Sequence, residues 1–164
     1  MAKDKTAVSN KKRLKFKICF ISSSGGHFEQ LKMLKPLCEK YNSYWVTEKT
    51  KYDMNTKYTL PPGYPNKVLN ILALALNMLK SLFLIIKERP KCIISTGTLV
   101  AFPTILFARL FRIKVIYIET FARVYGGTKA ARFVYHHKLY DLFMYQWETQ
   151  KDEFPEGICG GGIY

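Results

Sequence analysis

The stretch Lys17-Ile18-Cys19-Phe20-Ile21-Ser22-Ser23-Ser24-Gly25-Gly26-His27-Phe28-Glu29-Gln30-Leu31 carries three signals in a row. An apolar run of strand length comes first, a small glycine-rich turn second, and the start of a helical pattern third. Such strand–turn–helix junctions are where α/β proteins bind ligands. Glycines let the backbone come close, and a helix N-terminus offers N–H groups and partial positive charge to an anion. Ser24, Gly25 and Gly26 are therefore candidate contacts for a phosphate or sugar. His27, at the mouth of the turn, is a candidate general base or holder of a hydroxyl.

Working outward, the helical pattern runs from Phe28 to Tyr41, and Ser43-Tyr44-Trp45-Val46-Thr47 reads as a second strand. Glu48 to Asn66 is polar and broken by Pro61-Pro62-Gly63 and Pro65, which predicts a long loop. Cys92-Ile93-Ile94-Ser95-Thr96 and Lys114-Val115-Ile116-Tyr117-Ile118 are further apolar strands. A helix from Pro103 to Phe111 lies between them, with proline tolerated in its first turn. Thr128 caps a helix through His137, and Leu142-Phe143-Met144-Tyr145 reads as a last strand. Alternating strands and helices with uninterrupted apolar strands predict an α/β fold, a doubly wound parallel sheet of Rossmann-like type. Ligands bind such sheets at the carboxyl ends of the strands. The Ser22–His27 turn, the Thr96-Gly97-Thr98 turn and Glu119 all lie at such ends. Thr96, Gly97 and Thr98 read as a phosphate or sugar contact or as a plain tight turn. Glu119 reads as a sugar-contacting or catalytic carboxylate, or else as a helix cap or ion-pair partner of Arg123. Arg123 has the planar fork that holds a phosphate.

The chain has 164 residues, 48% of them hydrophobic, which predicts one domain with a real core. Its net charge is +14, and Lys3, Lys5, Lys11, Lys12, Arg13 and Lys15 crowd the N-terminus. We expect a basic flexible arm over 1–16 and the folded domain over 17–164. Such an arm is either a solvated tail or a contact for an acidic membrane surface. Nucleic acid is disfavoured, because no basic and aromatic interleaving or known module follows the arm. Cys19, Cys38, Cys92 and Cys159 are scattered and read as reduced thiols of a cytosolic protein. The charged N-terminus lacks the apolar run of a signal peptide. The serine–glycine turn is neither a P-loop nor a complete GxGxxG, and no acid of the right spacing closes the second strand, where Thr47 precedes Glu48. ATP, NAD and a metal are not expected, and no cofactor is implied. From Val68 to Ile86 the chain is mostly apolar, with Asn70, Asn77, Lys80, Ser81 and Lys87 on one narrow polar stripe of a helix. Three readings compete: a helix buried on the sheet, a helix lying in a membrane interface, and a span. The span is least favoured, since it needs about 20 residues and Asn77 and Lys80 fall in mid-segment.

Ser23-Ser24-Gly25-Gly26-His27, Ser95-Thr96-Gly97-Thr98 with Pro103, Tyr117-Ile118-Glu119-Thr120-Phe121-Ala122-Arg123-Val124 and Asp141-Leu142-Phe143-Met144-Tyr145-Gln146-Trp147 together resemble one family. It is the polysaccharide-biosynthesis subunit that forms the N-terminal half of a split GT-B glycosyltransferase. Relatives include the membrane-anchoring subunit of the dolichol-linked N-acetylglucosamine transferase and the enhancer subunits of bacterial capsule and exopolysaccharide glycosyltransferases. The layout is also similar to the N-terminal half of the peptidoglycan lipid-linked N-acetylglucosamine transferase. The resemblance covers roughly Lys17 to Tyr164 and implies one half of a GT-B fold. It implies that the chain holds the acceptor, a polyprenyl-diphosphate-linked sugar, with phosphates near the glycine turns or Arg123 and the sugar hydroxyl toward His27. It further implies a second glycosyltransferase subunit carrying the UDP-sugar site, and a peripheral place on the cytoplasmic face of the plasma membrane. The alternative is a scaffold that recruits and activates its partner without chemistry of its own. The chain departs from the family pattern at Ala122, where relatives often have serine, and at Lys138-Leu139-Tyr140 before Asp141.

Overall fold

A computed structural model describes residues 14–51, 55–97 and 100–163. Most of the basic arm and Thr98 fall outside the described residues. Seven strands form one sheet: β1 (Leu14–Ile21), β2 (Tyr41–Glu48), β3 (Tyr58–Leu60), β4 (Cys92–Ser95), β5 (Lys114–Ile118), β6 (Leu142–Tyr145) and β7 (Ile158–Cys159). Their order is β3-β2-β1-β4-β5-β6-β7, and every pairing is parallel. The expected doubly wound parallel sheet is therefore present.

The helices are α1 (Gly26–Lys32), α2 (Leu37–Lys40), α3 (Lys67–Glu88), α4 (Phe102–Leu110) and α5 (Lys129–His136). One face of the sheet packs Ile18, Phe20, Ile94 and Ile118 against Leu31 of α1, with Leu37 and Cys38 of α2 beside them. The other face packs Ile21, Ile93, Val115, Tyr117 and Phe143 against α3, α4 and α5. Both faces are thus apolar, as uninterrupted apolar strands require. Cys19 and Cys92 are buried free thiols on these strands, and burial pushes the Cys19 thiol up to about 12.

Four boundaries differ from the sequence reading. β1 begins at Leu14, inside the segment assigned to the arm, and pairs Leu14 with Tyr41. The helix expected from Phe28 to Tyr41 is broken. After Lys32 the backbone tightens to bonds three residues apart, through Leu34 N to Leu31 O and Lys35 N to Lys32 O, ahead of Pro36. Proline has no N–H and its ring crowds the preceding turn, so a regular helix does not pass through it. Inside the expected loop, β3 adds an edge strand through Val46 opposite Tyr58. Beyond the expected last strand, β7 adds another, with Met144 opposite Ile158.

The long helix α3 packs in an unusual sense. Asn66 caps it, its side-chain oxygen accepting from Val68 N at 2.9 Å and Leu69 N at 3.2 Å. Three of its polar residues, Asn77, Ser81 and Glu88, are buried against the protein. Asn77 donates to Pro61 O at 3.0 Å, Ser81 accepts from Thr104 of α4 at 2.8 Å, and Glu88 binds Lys17 at 2.9 Å and Lys57 at 2.8 Å. Its apolar residues face outward: Ile71 and Leu79 are each 67% exposed, with Val68, Leu72, Leu76, Phe83 and Ile86 also exposed. Of the polar stripe read from the sequence, Asn77 and Ser81 lie on the inner face together with Glu88, Asn70 is half-buried, and Lys80 and Lys87 are exposed at its flank. The reading of α3 as a helix buried on the sheet is corrected accordingly: only its narrow polar side and a few residues such as Ala73, Leu84 and Ile85 are covered.

Candidate functional site

Strand order reverses between β1 and β4. The connection after β1 goes to one face and that after β4 to the other, so the two loops part and leave a crevice at the carboxyl edge. Gly25 makes the turn out of β1 with φ 78°, a conformation that favours glycine. Its carbonyl accepts from Phe28 N at 2.9 Å and Glu29 N at 3.0 Å, which starts α1. His27 is thereby carried to the switch point, and two bonds clamp it to the loop after β4. His27 Nδ1 lies 2.8 Å from Thr96 O, and Thr96 Oγ1 donates to His27 O at 2.8 Å. A carbonyl only accepts, so Nδ1 carries the proton and the neutral ring keeps its lone pair on Nε2. The ring is only partly buried and, with Gly26, Thr120, Phe121 and Ala122, lines an open concavity of about 380 Å³. Nothing stands within 4 Å of where a Cβ on Gly26 would sit, which keeps that wall open.

Gly97 follows Thr96 with φ 97°, and a Cβ there would stand 2.6 Å from the Tyr117 hydroxyl. The β4 turn therefore requires glycine on both backbone and steric grounds. Its amide donates to Ser95 Oγ at 3.1 Å.

Ser24 is differently engaged from the expectation. Its amide and hydroxyl both donate to Glu48 Oε1, at 3.1 and 2.7 Å. β2 runs through Glu48, so an acid does close the second strand, contrary to the sequence reading. A carboxylate of the chain itself thus occupies the donors of Ser24, while Gly26 and His27 line the concavity.

Glu119 is 1% exposed and lies behind the concavity rather than in its lining. Its carboxylate accepts from Thr128 N at 2.8 Å and Thr128 Oγ1 at 3.2 Å, and Thr128 Oγ1 in turn caps α5 by accepting from Ala131 N at 3.1 Å. Burial pushes its pKa from 4.5 up to about 6, against the opposing pull of the Thr128 amide and hydroxyl. Glu119 thus holds Thr128, and it is Thr128 rather than Glu119 that caps α5. Arg123 is exposed, and no ion pair to its guanidinium occurs among the described residues.

The loop from Glu119 to Thr128 is fixed by Gln146 and Trp147, which the sequence reading quoted within a motif without a role, and by Gln150, which it did not name. Gln146 Nε2 donates to Glu119 O at 2.7 Å, and Trp147 Nε1 to Phe121 O at 2.8 Å. Gln150 Nε2 bridges Arg123 O at 3.0 Å and Gly126 O at 2.9 Å. The Phe121 and Trp147 rings pack at 4.6 Å. The signal was the polar Gln146-Trp147 pair directly after an apolar strand, which places it on the ligand edge of the sheet. Asp141, at the other end of the same motif, sits on the opposite edge, where it binds Arg109, Lys114 and Val115 N.

Several known proteins share parts of this arrangement. A curated relative, the UDP-N-acetylglucosamine--N-acetylmuramyl-(pentapeptide) pyrophosphoryl-undecaprenol N-acetylglucosamine transferase of Wolbachia sp. subsp. Drosophila simulans (strain wRi), is 36% identical over 103 residues. The match covers 58% of this chain and 30% of the relative, so the chain spans under a third of that protein's length. Among solved structures, Acinetobacter baumannii MurG superposes with a TM-score of 0.66 at 14% identity, over 82% of this chain and 43% of that one. The UDP-N-acetylglucosamine 2-epimerase of Rickettsia bellii gives 0.72 at 12% identity, over 92% and 46%. At such identities the likeness shows the fold, that of glycosyltransferases and epimerases of GT-B type. The family model described as oligosaccharide biosynthesis protein Alg14 like matches residues 66–162, from the N-cap of α3 to the turn after β7. The chain belongs to this Alg14-like family.

Proposed function

We propose that the chain is the acceptor-holding, membrane-associating subunit of a two-chain inverting glycosyltransferase. Its partner carries the UDP-sugar, and the acceptor is a polyprenyl-diphosphate-linked sugar used in capsule or exopolysaccharide synthesis at the cytoplasmic face of the plasma membrane. The observation that carries this reading is the fixed tautomer of His27. Thr96 O holds Nδ1–H, so Nε2 stands ready as a base in an open concavity at the switch point.

In the proposed reaction the acceptor sugar lies in the concavity with one hydroxyl on Nε2. Nε2 takes the hydroxyl proton as the oxygen attacks the anomeric carbon of the donor sugar. The bond from that carbon to the UDP oxygen breaks, UDP leaves from the opposite side, and the configuration inverts. The imidazolium is supported through Nδ1–H by the Thr96 carbonyl. Gly25, Gly26, Gly97 and Arg123 supply close backbone approach and positive charge for the diphosphate, while Glu119 and Thr128 hold the wall formed by Thr120 and Phe121. The outward apolar face of α3 supports membrane association. Burying an exposed Leu, Ile or Phe contributes roughly 1.5–3 kcal/mol, and α3 presents a row of them.

The test is His27→Ala in the reconstituted pair of chains. General-base removal is expected to lower transfer about 10²- to 10⁴-fold with the complex intact. Undiminished transfer with an intact complex would leave this chain the role of a scaffold.

A further inference from the structure

Between α4 and α5, over β5, lies a second cavity of about 440 Å³. Phe102 and Ile105 of α4, Tyr117 of β5, and Ala130, Phe133 and Val134 of α5 form its walls. The walls are almost wholly apolar, and the Phe102 and Phe133 rings meet edge to face at 5.1 Å across it. Both helices begin at the carboxyl edge of the sheet, so the cavity opens on the same edge as His27.

Two polar features mark it as more than a packing gap. The Tyr117 side chain is 1% exposed, and Thr128 is the polar side chain set against its hydroxyl, outside strict hydrogen-bond geometry. That hydroxyl lies under Gly97, the neighbour of the Thr96 that clamps His27. The rim carries the exposed Lys129, first residue of α5, where the helix dipole adds to its charge. An apolar void of this size forfeits dispersion contacts along its walls, and a hydrocarbon chain restores them. A cationic rim over an apolar body selects an amphiphile with an anionic head. The helix that forms one wall, α4, also packs on α3 and exposes Leu106.

We propose that this crevice receives the isoprenoid chain of the acceptor, in the part next to its phosphates. The sugar then lies at His27, the phosphates pass over the β4 turn near Lys129, and the chain descends between α4 and α5 toward the membrane. The proposal rests on the reading of the acceptor as lipid-linked.

The probe is farnesyl phosphate, titrated calorimetrically into the full chain, with farnesol and inorganic phosphate in parallel. Ala130→Trp fills the crevice and is expected to weaken farnesyl phosphate at least tenfold. Lys129→Gln is expected to weaken farnesyl phosphate several-fold and leave farnesol unchanged. A benzophenone-tagged farnesyl phosphate, photolysed on the wild-type chain, is expected to label peptides of α4 and α5. This labelling decides the matter if Ala130→Trp does not fold. Equal binding by a folded Ala130→Trp, label confined to α3, or no binding by the wild type would each overturn the proposal. Vesicle binding and transfer by the reconstituted wild-type pair are read separately. If they persist while farnesyl phosphate does not bind, the crevice proposal fails alone; if they are absent while it does bind, the acceptor reading fails alone.

Discussion

Two side chains at the carboxyl edge of the sheet, His27 and Glu119, have different surroundings. His27 is held through Nδ1 by Thr96 O and lines the concavity; Glu119 is buried and holds Thr128. The Glu119 carboxyl titrates at about 6 in the folded chain against 4.5 for the ordinary group. The folded state therefore binds the proton more tightly. The resulting stabilisation is full below pH 4.5 and is lost as pH rises through 6, amounting to about 2 kcal/mol. Glu119→Gln should therefore unfold at higher denaturant than the wild type at pH 7.5, by about 1–2 kcal/mol, with the gap closing by pH 4.5. Urea titrations of both chains at the two pH values check this; a variant less stable at pH 7.5 would show that the charge itself holds the loop. If transfer collapses while stability rises, the carboxylate acts in the chemistry. The position of His27 on the ligand edge of the sheet was legible in the sequence because it follows two glycines directly after an apolar strand. The burial of Glu119 was not, because the last residue of a strand turns to either face according to its partners, and Thr128 is nine positions away. Glu48 was missed for a similar reason: the strand continues to it only because Glu48 pairs with Leu60 of β3.

At the scale of elements, α3 decides how the chain meets its surroundings. A narrow polar stripe on an apolar helix ordinarily faces water, but here it meets Pro61 O, Thr104, Lys17 and Lys57. The periodicity showed the stripe and not its direction, which depends on partners distant in sequence. The triple variant Ile71→Ser, Leu79→Ser, Phe83→Ser removes exposed side chains that support no core. It should keep the thermal midpoint within a few degrees and lower co-sedimentation with anionic vesicles about tenfold to a hundredfold. Unchanged sedimentation would move the membrane contact away from α3. β3 and β7 were not legible, since strands of three and two residues exist only through their pairing with β2 and β6. The break in the first helix was foreshadowed by Pro36.

At the scale of the whole molecule, the parallel sheet was readable from its apolar strands, and the switch point between β1 and β4 follows from strand order. Glu88 joins the end of α3 to Lys17 of β1, to Lys57 just before β3, and to Tyr58 of β3. Burial pushes its carboxyl up, but the bonds from Lys57, Tyr58 and Lys17 outweigh it and hold the pKa at about 2, below the ordinary 4.5. Its stabilisation is present above pH 4.5 and fades as pH falls toward 2. Glu88→Gln should cost about 1–3 kcal/mol at pH 7 and progressively less below pH 4.5, as read by chemical denaturation. The central claim is that this domain is the acceptor half of a divided enzyme. It is tested most directly with membranes bearing a polyprenyl-diphosphate-linked sugar and labelled UDP-sugars, comparing this chain, its partner glycosyltransferase subunit, and both together. The account predicts product only, or far more product, when both are present. Full transfer by the partner alone, or by this chain alone, would contradict it.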